Sequence, residues 1–208
     1  MAAYTTIDNP ELYFQCKTYG FTTGAQSITF DNTDTSMQPD MVWIKSRSNT
    51  GYNHYLVDSV RGVTKALRPN IAGNEDTHSD AVTAFNSNGF TLGGDGTNGE
   101  VNDHNQSQNY IAWCWKESAT AGFDIVGYTG NGTDDTDISH NLSAVPKVII
   151  VKNRPSDSAW PVYHGANTSA PETDYLVLNT TAATADAADR WSDEAPTSSV
   201  FTLGDADE

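Results

Sequence analysis

The chain has 208 residues and carries 11 Lys and Arg against 27 Asp and Glu, a net charge of −16. That balance opposes binding by charge to nucleic-acid phosphates or to an anionic membrane, and no run approaches the roughly 18 apolar residues of a membrane span. Leu, Ile, Val and Phe make up only about 18% of the chain, just below the level at which high net charge favours disorder. The 21 aromatic side chains (7 Phe, 9 Tyr, 5 Trp) sit in short alternating segments instead, and point to a folded chain with a modest core. The two cysteines, Cys16 and Cys114, are too few for a disulfide framework and are expected as free buried thiols.

In chain order, the expected strands are Tyr13–Thr18, Gln26–Phe30, Met41–Arg47, Tyr55–Asp58, Phe90–Leu92 and Tyr110–Trp115. Each is short, rich in β-branched and aromatic residues, and bounded by turn residues. Ser59–Leu67 reads as two helical turns. The series resumes with Phe123–Tyr128, Val148–Lys152, Ala159–Tyr163, Tyr175–Leu178 and Phe201–Leu203, with Ala182–Arg190 as a second helix-prone stretch. Gly and Asn in Asn86-Ser-Asn-Gly89 and Thr129-Gly-Asn-Gly-Thr133 supply the turns.

The second series echoes the first. Tyr13-Phe-Gln-Cys-Lys-Thr-Tyr19 resembles Gly122-Phe-Asp-Ile-Val-Gly-Tyr128. Pro39-Asp-Met-Val-Trp-Ile-Lys-Ser-Arg47 matches Pro146-Lys-Val-Ile-Ile-Val-Lys-Asn-Arg154 without a gap. His54-Tyr-Leu-Val-Asp58 faces Trp160-Pro-Val-Tyr-His164, and Gly89-Phe-Thr-Leu-Gly-Gly-Asp95 faces Val200-Phe-Thr-Leu-Gly-Asp205. Four matches in one order mark an internal repeat. The expected fold class is therefore all-β: two tandem antiparallel β-sandwich-like repeat units, at 1–116 and 122–208, joined by 117–121. Met41–Arg47 and Val148–Lys152, each with four apolar residues in a row, are expected as equivalent central strands. The first unit continues to Tyr110–Trp115, whereas the second reaches only Asp205-Ala-Asp-Glu208. It is thus expected to be incomplete, its last strand lying beyond Glu208 or donated by another chain beside Phe201–Leu203.

Little points to reaction chemistry. Asp31, Asn32 and Asp34, their counterparts Asp134, Asp135 and Asp137, and Asp95, Glu100, Asn102 and Asp103 place oxygens close in sequence, as calcium sites do. They lack EF-hand spacing and read rather as solvated turns that keep the sheet edges soluble. His54, His78, His104, His140 and His164 show no metal-ligand spacing, and there is no nucleophile elbow or phosphate-cradling glycine loop. The expectation is a protein without catalytic residues, cofactor or metal. In so base-poor a chain, Lys45 and Arg47, with Lys152 and Arg154, are candidate contacts to acids of a neighbouring subunit or gatekeepers of an apolar strand. Trp43, Trp113 and Trp115 lie in strands and read as core. Trp160 and Trp191, amid polar loops, are the candidate surface tryptophans for stacking on sugar rings.

The segments Pro39–Arg47, Asp58-Ser-Val-Arg-Gly-Val-Thr-Lys65, Phe85-Asn-Ser-Asn-Gly-Phe-Thr-Leu-Gly93 and Tyr110-Ile-Ala-Trp-Cys-Trp115 resemble a repeat module of tail-fibre and other virion proteins of marine podoviruses and cyanophages. The resemblance extends over nearly the whole chain. It implies a non-enzymatic virion protein, the N-terminal, particle-anchoring part of a tail fibre or related tail appendage used in host attachment, assembled in the host cytoplasm. The implied partners are other virion proteins of the tail or adaptor and further copies of the chain in a homo-oligomer, as a trimer in a fibre, with no nucleic acid and no membrane insertion. A capsid decoration protein and a carbohydrate-binding module or depolymerase fragment acting on host surface glycans are the alternatives.

Overall fold

The computed structural model describes residues 7–31, 35–94, 100–103 and 108–206. These form two compact units. Unit 1 takes the described residues up to Arg68 and Glu75–Ile125, and unit 2 takes Pro69–Asn74 and the described residues from Val126 onward. Both are all-β with antiparallel pairing, and among the described residues no helix is long and apolar enough to cross a membrane.

In unit 1 the strands are β1 (Phe14–Gly20), β2 (Gln26–Thr29), β3 (Met41–Ser46), β4 (Tyr55–Asp58), β5 (Lys65–Ala66), β6 (Asp76–Thr77), β7 (Val82–Asn86), β8 (Gly89–Leu92) and β9 (Asn109–Trp115). One sheet runs β1-β9-β3-β4 and a second runs β2-β8-β7. The strand alternation assigns the faces. Val42 and Ile44 of β3, Tyr110, Ala112 and Cys114 of β9, and Tyr55 and Val57 of β4 point inward and are wholly buried. They pack with Phe90, Leu92 and Val82 of the second sheet and with Met37 in one sandwich core. Tyr19 stacks on Tyr110 at 5.2 Å and meets Phe90 edge-on at 6.2 Å, while its hydroxyl donates to the Val101 carbonyl at 2.9 Å. Cys114 is buried as expected, whereas Cys16 lies on the opposite face of its sheet and is exposed.

Ser59–Leu67 is not helical. Asp58 accepts from the Arg61 backbone N–H at 2.8 Å and from Arg61 Nε at 2.6 Å, and Gly62 follows with φ +99°, so the chain turns at once. The guanidinium, with its side chain only 7% exposed, also reaches Glu75 at 3.1 Å and the carbonyls of Lys65 and Leu56. Beside it Arg68 binds Glu100 at 3.1 Å and also pairs with Asp76. Charges removed from water this far are tolerated because each is met by partners on several sides. Asn102, also fully buried, accepts from Thr22 N–H and Gln26 Nε2 and donates to the carbonyls of Gly24 and Gly93.

In unit 2 the strands are β10 (Thr136–Ser139), β11 (Val148–Ile150), β12 (Pro161–His164), β13 (Asp174–Val177), β14 (Ala185–Asp186) and β15 (Val200–Leu203), with one short helix, α1 (Ala188–Trp191). The sheets run β11-β12-β13-β14 and β10-β15. Their registers parallel those of unit 1. Ile138 faces Phe201 as Ile28 faces Phe90, and Ile149 faces Tyr163 as Val42 faces Val57. The core is small: Val151, Tyr163 and Trp191, with Ile149, Tyr175 and Leu203 against them.

Two expectations fail here, for one reason. Val148–Lys152 is not a central strand, since β11 is the edge of its sheet and Val148 and Ile150 are 50% and 45% exposed. Phe123–Tyr128 forms no strand, only an isolated bridge from Phe123 to Ser118. In unit 1 the strand that covers β3 and holds β1 is β9, and among the described residues unit 2 has no strand in that place. Among the described residues β11 thus has one strand neighbour where β3 has two, and β15 has one where β8 has two.

One close approach recurs in both units. A Cβ on Gly93 would lie 2.2 Å from the Asp80 carbonyl oxygen, and one on Gly204 would lie 2.1 Å from that of Asp189. Each glycine N–H donates across the same gap, to Ala81 and Arg190 respectively. Gly93→Ala and Gly204→Ala are each expected to lower unfolding free energy by about 1–3 kcal/mol, the range for forced overpacking. Gly130→Ala, with open space around it, should stay within about 0.5 kcal/mol. Urea denaturation of the three variants checks this, and three equal small effects would refute the packing argument.

Candidate functional site: an aromatic platform on unit 1

The outer face of the β1-β9-β3-β4 sheet carries the residues that alternate with the core. Register places Trp43 directly beside Trp113, Trp113 beside Cys16, and Trp115 between Met41 and Phe14. The three tryptophans are half-buried, and with His54 they line an open cavity of about 300 Å³. The rings are braced from behind and from the sides. Phe14 tilts against Trp115 at 5.1 Å, and Phe123 stacks on the same indole at 6.2 Å. Trp43 Nε1 donates to His54 Nδ1 at 2.8 Å, which fixes both rings.

That bond also sets the chemistry of the imidazole. Nδ1 accepts, so Nε2 carries the hydrogen in the neutral ring. Burial lowers the His54 pKa, and the Lys45 ammonium lowers it further, so neutral imidazole is the form at physiological pH. The wall is therefore apolar, aromatic and uncharged. Rigid indole faces of this kind stack with flat apolar surfaces, such as the C–H face of a sugar ring or a partner's side chain. The cavity's volume sits at the small end of ligand clefts.

This reverses the placing of the tryptophans. Trp160 and Trp191, expected at the surface, are buried, at 4% and 2% exposure. Trp160 Nε1 donates to the Ile71 carbonyl at 3.0 Å, and Trp191 Nε1 to the Asp174 carbonyl at 3.0 Å while its ring meets Tyr163 edge-on. Polar flanking sequence misled because each indole brings one N–H that a loop carbonyl can satisfy inside. Conversely, Trp43, Trp113 and Trp115 lie in strands but on the face turned away from the core. The signal was present in the alternation Ile111, Trp113, Trp115 against Ala112 and Cys114, since the small residues had to be the ones packed between sheets.

The basic candidates split into pairs. Lys45 Nζ donates to the carbonyls of Asn49 and Tyr52, at 3.2 and 2.6 Å. Lys152 Nζ donates to those of Ala72, Ser156 and Ser158, at 3.2, 2.8 and 3.0 Å. Each lysine thus ties down the loop after its own strand. Arg47 and Arg154 are exposed.

Six of the residues considered for calcium have their side chains engaged, and at Asp135 the backbone N–H donates to Ser192 Oγ at 3.2 Å. Glu100 pairs with Arg68, Asn102 is the buried hub described above, and Asp103 accepts from the Tyr52 hydroxyl. Asp134 accepts from Ser192 Oγ at 2.7 Å and Asp137 from Thr202 Oγ1 at 3.0 Å, and Asp31 pairs with Lys17. Asn32, Asp34 and Asp95 lie outside the described residues, as does His104. Among the described residues no group of three or more His, Cys, Asp or Glu is placed to hold a metal ion.

A carboxylate corner follows the platform in sequence, two residues beyond Trp115. The Glu117 backbone N–H donates to Asp40 Oδ2 at 2.9 Å. Burial, the hydrogen bond and charge of Asp124, and the charges of Asp40 and Asp58 push the Glu117 carboxyl up to about 7. Sequence reasoning missed this corner because its acids are scattered over four segments.

The chain belongs to the family described as Domain of unknown function (DUF7483), whose model matches residues 9–208. No curated protein and no solved structure matches it.

Glu117 yields a pH prediction. Its native carboxyl holds the proton above the ordinary value of 4.5, so between that value and about 7 the folded state binds more protons than the unfolded one. Stability from this group is complete below the ordinary value and is lost as pH rises through the native one. Glu117→Gln, which cannot ionise, should therefore gain in melting temperature relative to wild type as pH goes from about 5 to about 8. A gap that stays constant across paired thermal melts in that window would place the shared proton elsewhere.

Proposed function

We propose that this chain is a non-enzymatic structural protein of a bacteriophage virion, a module of a tail fibre or related tail appendage. In this reading unit 1 presents the Trp43–Trp113–Trp115 platform as its contact surface. The platform itself carries the proposal: three braced indoles are held at the surface of a sandwich whose core is already complete. Apolar surface left open in a folded chain marks a place of contact. The segments that resemble phage modules supply this framework. Pro39–Arg47 holds β3, Tyr110–Trp115 lies in β9, Phe85–Gly93 forms the β7–β8 hairpin, and Asp58–Lys65 forms the Arg61 corner. The partners proposed are other virion proteins and further copies of the chain, as a trimer in a fibre. An acidic surface at −16 keeps such an assembly from collecting nucleic acid during packaging.

Gold-labelled antibody against the chain, applied to purified particles, tests the reading. Label on the tail is expected. Label spread over the capsid lattice would favour a decoration protein, and particles that carry none of the chain would overturn the virion reading altogether.

The apolar, uncharged lining supports a second reading, contact with host surface glycans. Here the platform would take a sugar ring, and titration with host polysaccharide would change tryptophan fluorescence. Trp113→Ala should weaken that binding about tenfold, the equivalent of about 1.4 kcal/mol. An unchanged titration in the variant would leave protein partners as the occupants of the platform.

A further inference from the structure

The edge of β11 in unit 2 is open where the corresponding edge in unit 1 is filled, and unit 1 shows what fills it. By sequence Met41, Val42, Trp43 and Ile44 correspond to Val148, Ile149, Ile150 and Val151. In unit 1, β9 runs antiparallel along β3, with Trp115 beside Met41, Cys114 beside Val42, Trp113 beside Trp43 and Ala112 beside Ile44. In unit 2 the inward pair is still covered, Val151 being 6% exposed and Ile149 packed against the core. The outward pair, Val148 and Ile150, stands half in solvent, with Val145 at 42% exposure just before it.

The backbone is directed to match. The Val151 N–H donates to the Pro161 carbonyl at 3.1 Å, and the Lys147 carbonyl accepts from the Gly165 N–H at 2.8 Å. Lys147, Ile149 and Val151 therefore spend their polar groups on β12. Antiparallel alternation turns the N–H and C=O of Val148 and Ile150 the other way, toward the open edge. Among the described residues no strand pairs with that edge. Its protections are its brevity and the Pro146-Lys147 pair just ahead of it; from Val148 to Ile150 itself there is no proline, bulge or inward charge.

We propose that the β11 edge is a strand-acceptor site, filled by an extended segment of another polypeptide that pairs antiparallel with Val148–Ile150 and carries the alternation of β9. The required chemistry follows from the two faces. Small side chains, as Ala112 and Cys114 are in β9, must face inward beside Ile149 and Val151, where Tyr163 and Trp191 already fill the core. Aromatic side chains, as Trp113 and Trp115 are, must face outward to cover Val148 and Ile150. Main-chain bonds would supply the attachment and this alternation the selectivity, as in other strand-addition complexes. The inference does not depend on the virion reading.

The test uses the full chain and a labelled synthetic peptide of the β9 sequence, Asn109–Trp115, with Cys114→Ser to prevent oxidation. Fluorescence anisotropy should show saturable binding with Kd below about 1 mM. A peptide of the same composition with its alternation scrambled should not bind. Ile150→Pro deletes one edge N–H while leaving the ladder to β12 intact, a substitution that edge strands accept. It should keep the wild-type circular dichroism and melting temperature, yet weaken peptide binding at least tenfold. Absence of saturable binding, equal binding of the scrambled peptide, or equal binding by a folded Ile150→Pro variant would overturn the proposal. So would a dimer in light scattering that Ile150→Pro dissociates and that excludes the peptide, since the edge would then pair with a second copy of itself. Should Ile150→Pro fail to fold, Val148→Pro, which removes the other edge N–H, gives the same reading.

Discussion

Unit 1 depends on β9. This one strand bonds β1 along one edge and β3 along the other, and its alternation serves two surfaces at once. Tyr110, Ala112 and Cys114 fill the sandwich, while Ile111, Trp113 and Trp115 face outward. Because β1 has no other neighbour in the sheet, its seven residues hold strand geometry only while β9 is present. The same pairing sets Trp43 against Trp113 and so creates the platform. Fold and candidate site are consequences of a single ladder.

Unit 2 shows what the same sequence pattern does without that ladder. Pro146–Arg154 repeats the pattern of Pro39–Arg47, a proline, an apolar run and Lys-x-Arg, and its lysine ties down its loop in the same way. Yet β11 is three residues long where β3 is six, and the counterpart of β1 is coil. A strand's length and burial are properties of its neighbours as much as of its residues, which is the physical content of context-dependent β propensity. Four apolar residues in a row announce a strand able to be buried on both faces. They do not supply the second cover.

That distinction separates what was legible in the sequence from what was not. The all-β class followed from short β-branched and aromatic runs, and most long strands fell where those runs lie. The short pairs β5, β6 and β14, of two residues each, carry no periodic signal and were invisible. β10 was missed because only Ile138 in Thr-Asp-Ile-Ser is apolar, although its match to Gln-Ser-Ile-Thr of β2 was available. The helix expected at Ser59–Leu67 gave way to a turn built on Arg61, since a buried guanidinium with acceptors on several sides outweighs weak local helix preference. Which tryptophans face solvent was encoded in the small residues between them rather than in the polarity of their surroundings. Ala112 and Cys114 fit between two sheets where Trp113 and Trp115 do not.

The platform and the β11 edge differ in kind, and the difference follows from how each arises. The platform is side-chain surface over a finished ladder. Its backbone is fully paired, so what it recognises must be shape and apolar character, and its selectivity rests on the spacing of three indoles. The β11 edge is backbone surface, where N–H and C=O groups directed outward ask first for another strand and only then for particular side chains. Side-chain platforms accept and release partners without altering either fold. A strand added to an edge extends the sheet, covers Val148 and Ile150, and presents its own far edge to the next segment, which in unit 1 is the place of β1. Occupation of the β11 edge would therefore give the coil around Tyr128, now 40% exposed, a ladder on which to form. In the proposed complex the binding event and the completion of the fold would be one step.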